Sequence, residues 1–325
     1  MHAIVNNIFS VDEQNFAEKA LDIFRYQYSN NGVYQKWVDS LHLQVDSVKK
    51  IEEIPFLPVH FFKTHTVATG KFTPQTVFES SGTTNSLNSK HFVKDLNLYH
   101  KSYLEGFKRF YGDINQWCII GLLPSYLERT GSSLVMMVDN LIKNSGHRLS
   151  GFYLYDFKKL SNTLQILEDK KQKALLIGVT FALLDFAEQF PMKLTYTSVM
   201  ETGGMKGRRK EMIRCEIHDL LKRQFDVNAI HSEYGMTELL SQAYAKQDGL
   251  FSPVPWMKVL IRDEEDPLNV SATGRGGLNF IDLANVYSCS FIATEDAGEC
   301  FNDGSFIVNG RIDNSDIRGC SLMYT

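Results

Sequence analysis

Apolar residues recur three and four positions apart at Phe16, Ala20, Ile23, Phe24 and Tyr28. That spacing lines one face of a helix, and Asn31-Gly32 stops the run. The IPFLPV stretch at 54–59 carries two prolines, which favours an extended connector. Beyond it, apolar runs of strand length alternate with helical ones. The pattern predicts strands over 75–78, 117–123, 149–155, 174–179, 196–200 and 227–232. It predicts helices over 95–111, 132–144, 158–169, 181–190 and 206–224, with Ser132 or Ser133 as an N-cap. Such alternation means an α/β fold, a largely parallel sheet covered by helices. After about Gly249 the texture changes. Turn residues crowd in at 263–266, 274–277, Gly298 and Asp303-Gly304, separated by short strands. We expect one domain over 1–325: a helical and extended segment (1–70), an α/β core (71–248) and a β-rich lobe (249–325).

Composition narrows the class. With 325 residues, 43% hydrophobic and 22% charged, the chain can bury a core without disulfides or metals. The net charge of −4 gives no basic excess for nucleic acid. The most apolar run, 174–184, is shorter than the ~20 residues of a membrane span. The five cysteines form no CxxC pair, and residues 1–16 show no signal peptide. Both features point to a reducing, cytoplasmic setting. Cys118 and Cys289 read as core residues of apolar strands, and Cys215 as a helix residue open to facing inward.

Four segments carry candidate chemistry. Ser80, Ser81, Gly82, Thr83 and Thr84 follow a predicted strand. Backbone N–H groups and hydroxyls in such a loop cradle phosphate oxygens, and the glycine allows close approach. Lys90 and His91 follow and could add positive charge; a polar surface turn is the plainer alternative. The second segment, Met200-Glu201-Thr202-Gly203-Gly204-Met205-Lys206-Gly207-Arg208-Arg209, runs from a strand into a basic helix start. That suits an anion, or is simply a tight turn. The third is His231-Ser232-Glu233-Tyr234-Gly235-Met236-Thr237-Glu238, at the C-terminal end of another predicted strand, where open α/β sheets bind ligands. Glu238 could hold Mg²⁺, or Thr237 could cap a short helix. The fourth spans Thr294 to Glu299 and Gly310 to Cys320. There Asp296 can accept from a ribose diol, and Arg311 can pair with phosphate or ribose oxygens.

SSGTT at 80–84, YGMTE at 234–238, TEDAGE at 294–299 and GRIDNSDIRG at 310–319, in that order, resemble the adenylate-forming enzymes. That superfamily includes acyl- and aryl-CoA ligases, peptide-synthetase adenylation domains and LuxE-type acyl-protein synthetases. IPFLPVHFFK at 54–63, ETGGMKGRRKE at 201–211 and RGC near the end look most like the LuxE-type branch. The resemblance spans about residues 50–320. It implies a large adenylate-forming domain of mostly parallel sheets flanked by helices, with a smaller β-rich C-terminal lobe. It also implies ATP and Mg²⁺ as cofactors, and attack of a carboxylic acid on the α-phosphate to give an acyl-adenylate. The acyl group would then pass to a protein cysteine and on to a reductase, or to CoA or an acyl carrier protein; a non-catalytic nucleotide-binding role is the remaining alternative. By resemblance Ser80, Ser81, Gly82, Thr83 and Thr84 bind the triphosphate. Tyr234, with Gly235, lies near adenine, Thr237 touches the α-phosphate, Glu238 holds Mg²⁺, and Asp296 and Arg311 hold the ribose. Asn85 stands where the family commonly has glycine. With GRID as the hinge-like segment near the end, the resemblance implies that the usual lid and its lysine would be missing and that Lys206 would be the substitute cation. Cys320, near Arg318, is the expected acyl carrier.

Overall fold

The computed structural model describes residues 7–80, 87–124, 131–203 and 212–312. Helices α1 (Phe16–Asn30) and α2 (Gly32–Ser40) come first. The spacing alone reads Asn31 as a stop. Its side chain also accepts from the N–H groups of Val33 and Tyr34, so the residue that ends α1 caps α2. Then come β1 (Leu57–Pro58), α3 (Phe61–Thr64), the pair β2 (Thr76–Glu79) and β3 (Lys90–Val93), and α4 (Leu96–Tyr111). The alternating stretch follows: β4 (Cys118–Leu122), α5 (Ser133–Ser145), β5 (Gly151–Phe152), α6 (Phe157–Asp169), β6 (Ala174–Val179), α7 (Thr180–Gln189), β7 (Thr197–Thr202), α8 (Arg214–Phe225) and β8 (His231–Tyr234). The remainder is β9 (Ala243–Ala245), β10 (Phe251–Pro253), β11 (Met257–Arg262), β12 (Val270–Ser271), β13 (Gly274–Asp282), β14 (Phe291–Cys300) and β15 (Phe306–Arg311). Among the described residues no helix is long and apolar enough to cross a membrane.

These residues form two compact units. One holds residues 107–234 and 243–251, as far as they are described. Its strands run in the order β5-β4-β6-β7-β8-β9, parallel except for β9. The CIIGL of β4 and the ALLIGV of β6 are buried along their whole length, as in a sheet covered on both faces. The strand expected over 149–155 shrinks to β5, because it is an edge that pairs only at Gly151 and Phe152. The strand expected over 227–232 starts later, where His231 meets Met200 of β7.

The other unit holds residues 7–106, 235–242 and 252–312. Strands β12-β11-β13-β14-β15 are antiparallel, and β1 adds in parallel to β14 through Leu57 and Ile292. Phe24, Tyr34 and Phe56 all pack on Phe291, at 6.0 to 6.3 Å between ring centroids. Each such buried ring contributes roughly 2–3 kcal/mol. Gln27, fully buried in α1, donates to the carbonyls of Asn285 and Val286 and accepts from the N–H of Ser290. The first helix therefore satisfies the turn between β13 and β14, some 260 residues further along the chain.

A buried polar relay runs through this unit. The Trp256 indole N–H donates to Ser102 Oγ at 2.9 Å, and Ser102 Oγ lies 3.0 Å from Ser241 Oγ. Ser241 Oγ donates to Asp282 Oδ1 at 2.6 Å. Asp282 also accepts from the N–H groups of Leu240, Ser241 and Ala284. Burial pushes its carboxyl up to about 6 against the pull of these four donors. We expect Asp282→Asn, which turns an amide N–H₂ toward backbone donors, to lower stability by about 2–3 kcal/mol in urea unfolding. A loss within ~0.5 kcal/mol would show that the 240–241 segment is held by its other contacts.

Candidate functional site

Strands β2 and β3 deliver the Ser/Gly/Thr loop. Its base is closed by two hydrogen bonds: Ser80 N–H to the Ser89 carbonyl at 3.1 Å, and Ser89 N–H to Ser80 Oγ at 2.9 Å. Ser81, Gly82, Thr83 and Thr84 lie outside the described residues. Lys90, expected to add charge, is 3.6 Å from Glu79 on the paired strand. His91 does not add charge. It is buried, its Nδ1 donates to the Thr237 carbonyl at 2.8 Å, and burial lowers its pKa to about 4. The ring stays neutral and fixes the backbone of Thr237.

Glu238 sits beside it. No helix follows; Met236 to Leu239 form a turn closed by the Leu239 N–H on the Met236 carbonyl. The Glu238 carbonyl accepts from Asn285 Nδ2 at 2.7 Å. Its carboxyl is buried, bonded to Ser89 and near Lys63 and Glu295. Burial raises its pKa; the Ser89 hydrogen bond and the Lys63 charge oppose this, and Glu295 adds to it. The structure thus brings together Ser80, Thr237 and Glu238, through Ser89 and His91. Lys63, on the exposed end of α3, and Glu295 join them, and sequence reasoning singled out neither for this place.

Asp296 and Arg311 are register partners on β14 and β15. The Arg311 guanidinium pairs with Glu295. Arg262, also missed, donates to the carbonyls of Leu278 and Thr294 and to Asn279 Oδ1, and its charge acts on Asp296 and Glu295. The available signal was Gly276-Gly277 within a strand, which marks close approach. A Cβ at Gly277 would meet Arg262 Cζ at 2.5 Å.

In the other unit, Glu201 and Glu233 each sit one residue before the end of the neighbouring parallel strands β7 and β8. Glu201 lies beside Ser232, and Thr202 beside Glu233. Ser232 Oγ donates to Glu201 at 2.8 Å, with Arg214 Nε at 3.4 Å and His218 Nε2 at 3.6 Å. Burial pushes Glu201 up, but His218, Arg214 and Ser232 hold it below its ordinary value. Glu233 accepts from Thr202 Oγ1, and among the described residues no such cation acts on it. Burial dominates there, the Glu201 charge adds, and the pKa rises to about 7. Tyr234 ends β8, half-buried, and the division between the units falls between it and Gly235. Lys206 and Cys320 lie outside the described residues. Cys118 is buried in β4; Cys289 is buried in a turn, and Cys300 at the end of β14. Cys215 faces outward, because the second position of α8 lies off its packed stripe of Ile217, His218 and Leu221.

Among the described residues no group of three or more His, Cys, Asp or Glu side chains could hold a metal. Magnesium needs less, since it binds through one or two carboxylates together with substrate phosphates. The Glu238 carboxyl, raised by burial and with Glu295 nearby, fits that requirement.

A family model described as "Acyl-protein synthetase, LuxE" matches residues 7–325. No curated protein sequence matches the chain. Among solved structures, a 2-hydroxyisobutyryl-CoA ligase in the postadenylation state with R3-HIB-AMP is 12% identical, with a TM-score of 0.63 over 95% of this chain and 70% of that one. ATP-bound MatB from Rhodopseudomonas palustris is 16% identical, with a TM-score of 0.56 over 72% of this chain and 47% of that one. A long-chain-fatty-acid-CoA ligase from Archaeoglobus fulgidus is 13% identical, with a TM-score of 0.51 over 72% and 51%. The chain spans about half the length of the last two. At these identities the likeness is one of fold, that of the adenylate-forming ligases.

The two glutamates make one prediction. The folded protein holds the Glu233 proton more tightly than the unfolded chain. Stability therefore falls as pH rises from 4.5 to about 7, by roughly 3 kcal/mol. Glu233→Gln keeps the acceptor for Thr202 and cannot ionise. Its melting temperature should fall less than that of the wild type between about pH 5 and 8. Parallel curves would show that Glu233 is already ionised at the acid end.

Proposed function

The chain belongs to the LuxE acyl-protein synthetase family, and from that premise we propose that it activates a carboxylic acid with Mg·ATP and passes the acyl group to a protein thiol. The supporting observation is the Ser80–Ser89–Glu238 link, which ties the base of the hydroxyl-rich loop to a buried carboxyl.

In the first step a carboxylate oxygen of the acid attacks the α-phosphorus of ATP. The bond to the β-phosphate oxygen breaks and pyrophosphate leaves. Negative charge builds on the transferring phosphate, so donors and cations must be in place beforehand. Ser80, Ser81, Gly82, Thr83 and Thr84 would cradle the β- and γ-phosphates. Thr237 would donate to the α-phosphate, with its backbone already held by His91. Glu238 would hold magnesium, which would supply Lewis-acid charge to the phosphates. Lys63 and Lys206 would add positive charge. Tyr234 and Gly235 would lie at the base, and Asp296 and Arg311 at the ribose. In the second step the Cys320 thiolate attacks the acyl carbonyl and AMP leaves. A reductase or acyl carrier protein would then take the acyl group. A fatty or aryl acid, and a cytoplasmic setting, complete the proposal.

Intact-protein mass spectrometry with Mg·ATP and a panel of fatty and aromatic acids tests this, with pyrophosphate followed in the same tubes. We expect an ATP-dependent gain of one acyl group. Glu238→Ala should lower pyrophosphate release by about a hundredfold or more. Cys320→Ala should abolish the mass gain and keep pyrophosphate release, while Cys215→Ala, at an exposed thiol, should change neither. Full acylation of Cys320→Ala would refute the carrier assignment. Pyrophosphate without a mass gain in the wild type would move the acceptor to CoA or a carrier protein.

A further inference from the structure

Arg214 opens α8 and is held on two sides. Its Nε lies 3.4 Å from Oε1 of the buried Glu201, and its guanidinium carbon lies 5.2 Å from the centroid of the Phe251 ring. A cation against an aromatic face is attracted by the ring quadrupole. Gly249, at φ +67°, makes room for the stem: a Cβ there would meet Arg214 Cδ at 2.8 Å. Phe251 is itself buried. The same ring packs on Tyr234, with centroids 5.9 Å apart and planes 69° apart. This edge-to-face pair sets the plane of the tyrosine ring.

We propose that Arg214 is a positioning residue for the base end of the nucleotide, acting through Phe251 on Tyr234. The proposal rests on the reading that Tyr234 lies at the base of ATP. A ring that receives a base binds it better when its plane is set in advance, because less freedom is lost on binding. Glu201 supplies the counter-charge. It is anchored independently by Ser232 Oγ, so the guanidinium is held toward β7 while its carbon sits over the Phe251 ring. Lysine at 214 would keep the charge but replace the broad guanidinium over the ring with a compact ammonium.

The test is calorimetric titration of the full chain with Mg·ATP and with Mg·GTP, alongside melting temperatures. We expect Arg214→Ala and Phe251→Leu each to weaken ATP binding about tenfold, the worth of one aromatic pair. The preference for ATP over GTP should shrink in both, because the loss falls on the base. Arg214→Lys, the milder change, should weaken ATP binding by about threefold and serves if the alanine variant does not fold. Unchanged affinity and unchanged ATP:GTP preference in folded variants, with only a lower melting temperature, would overturn the proposal and leave Arg214 a structural residue. Failure of the underlying reading looks different: the wild type itself would bind neither nucleotide. If the wild type binds ATP but releases no pyrophosphate with any acid, the proposed reaction falls, and the titrations still decide the role of Arg214.

Discussion

The placement of Thr237 and Glu238 depends on one buried carboxyl, that of Asp282. It ends β13 and gathers the N–H groups of Leu240 and Ser241 together with the Ser241 hydroxyl. The segment just before them is irregular, so its backbone groups have no sheet or helix to satisfy them. Asp282 takes the downstream end, Asn285 takes the Glu238 carbonyl, and His91 takes the Thr237 carbonyl. Three polar side chains thus do what regular structure does elsewhere. A backbone held in this way can present a carboxyl at a fixed place, and fixed placement is what catalysis by preorganised charge requires.

Burial and local partners compete at each acidic group, and the winner differs from site to site. At Glu201 a cation and two donors outweigh desolvation. At Glu233, one residue out of step on the neighbouring strand, a single hydroxyl does not, and the proton is retained to about pH 7. Strand alternation explains the contrast. Glu201 and Ser232 share the face that meets His218 and Arg214 of α8, whereas Thr202 and Glu233 share the other face. Glu238 lies between these cases: a hydroxyl and a lysine nearby oppose the burial without overcoming it. A cation brought with phosphate would tip that balance toward the ionised form.

Much of the candidate site was legible because it lies in loops at strand ends. The hydroxyl-rich stretch after β2 and the YGMTE stretch after β8 stand out by composition and by position in the alternation. What could not be read was pairing across distance. Lys90 looked like a free cation, yet its strand partner is Glu79. His91 looked like a charge donor, yet burial keeps it neutral. Arg262 and Glu295 carried no motif of their own, and their relation to Asp296 and Arg311 depends on neighbouring strands that no local window contains.

The sequence by itself determined the element types, the α/β alternation from β4 to β8, the change to a β-rich stretch beyond it, and the loops that bear hydroxyls and carboxylates. Periodicity and turn chemistry are local, so they survive without a fold. Only the tertiary structure decided that α1 closes the turn at 285–290 through Gln27, that Ser89 and His91 meet Glu238 and Thr237, and which carboxyls keep their protons. Those outcomes depend on burial and on partners up to 260 residues apart, and desolvation has no value until the chain has folded around the group.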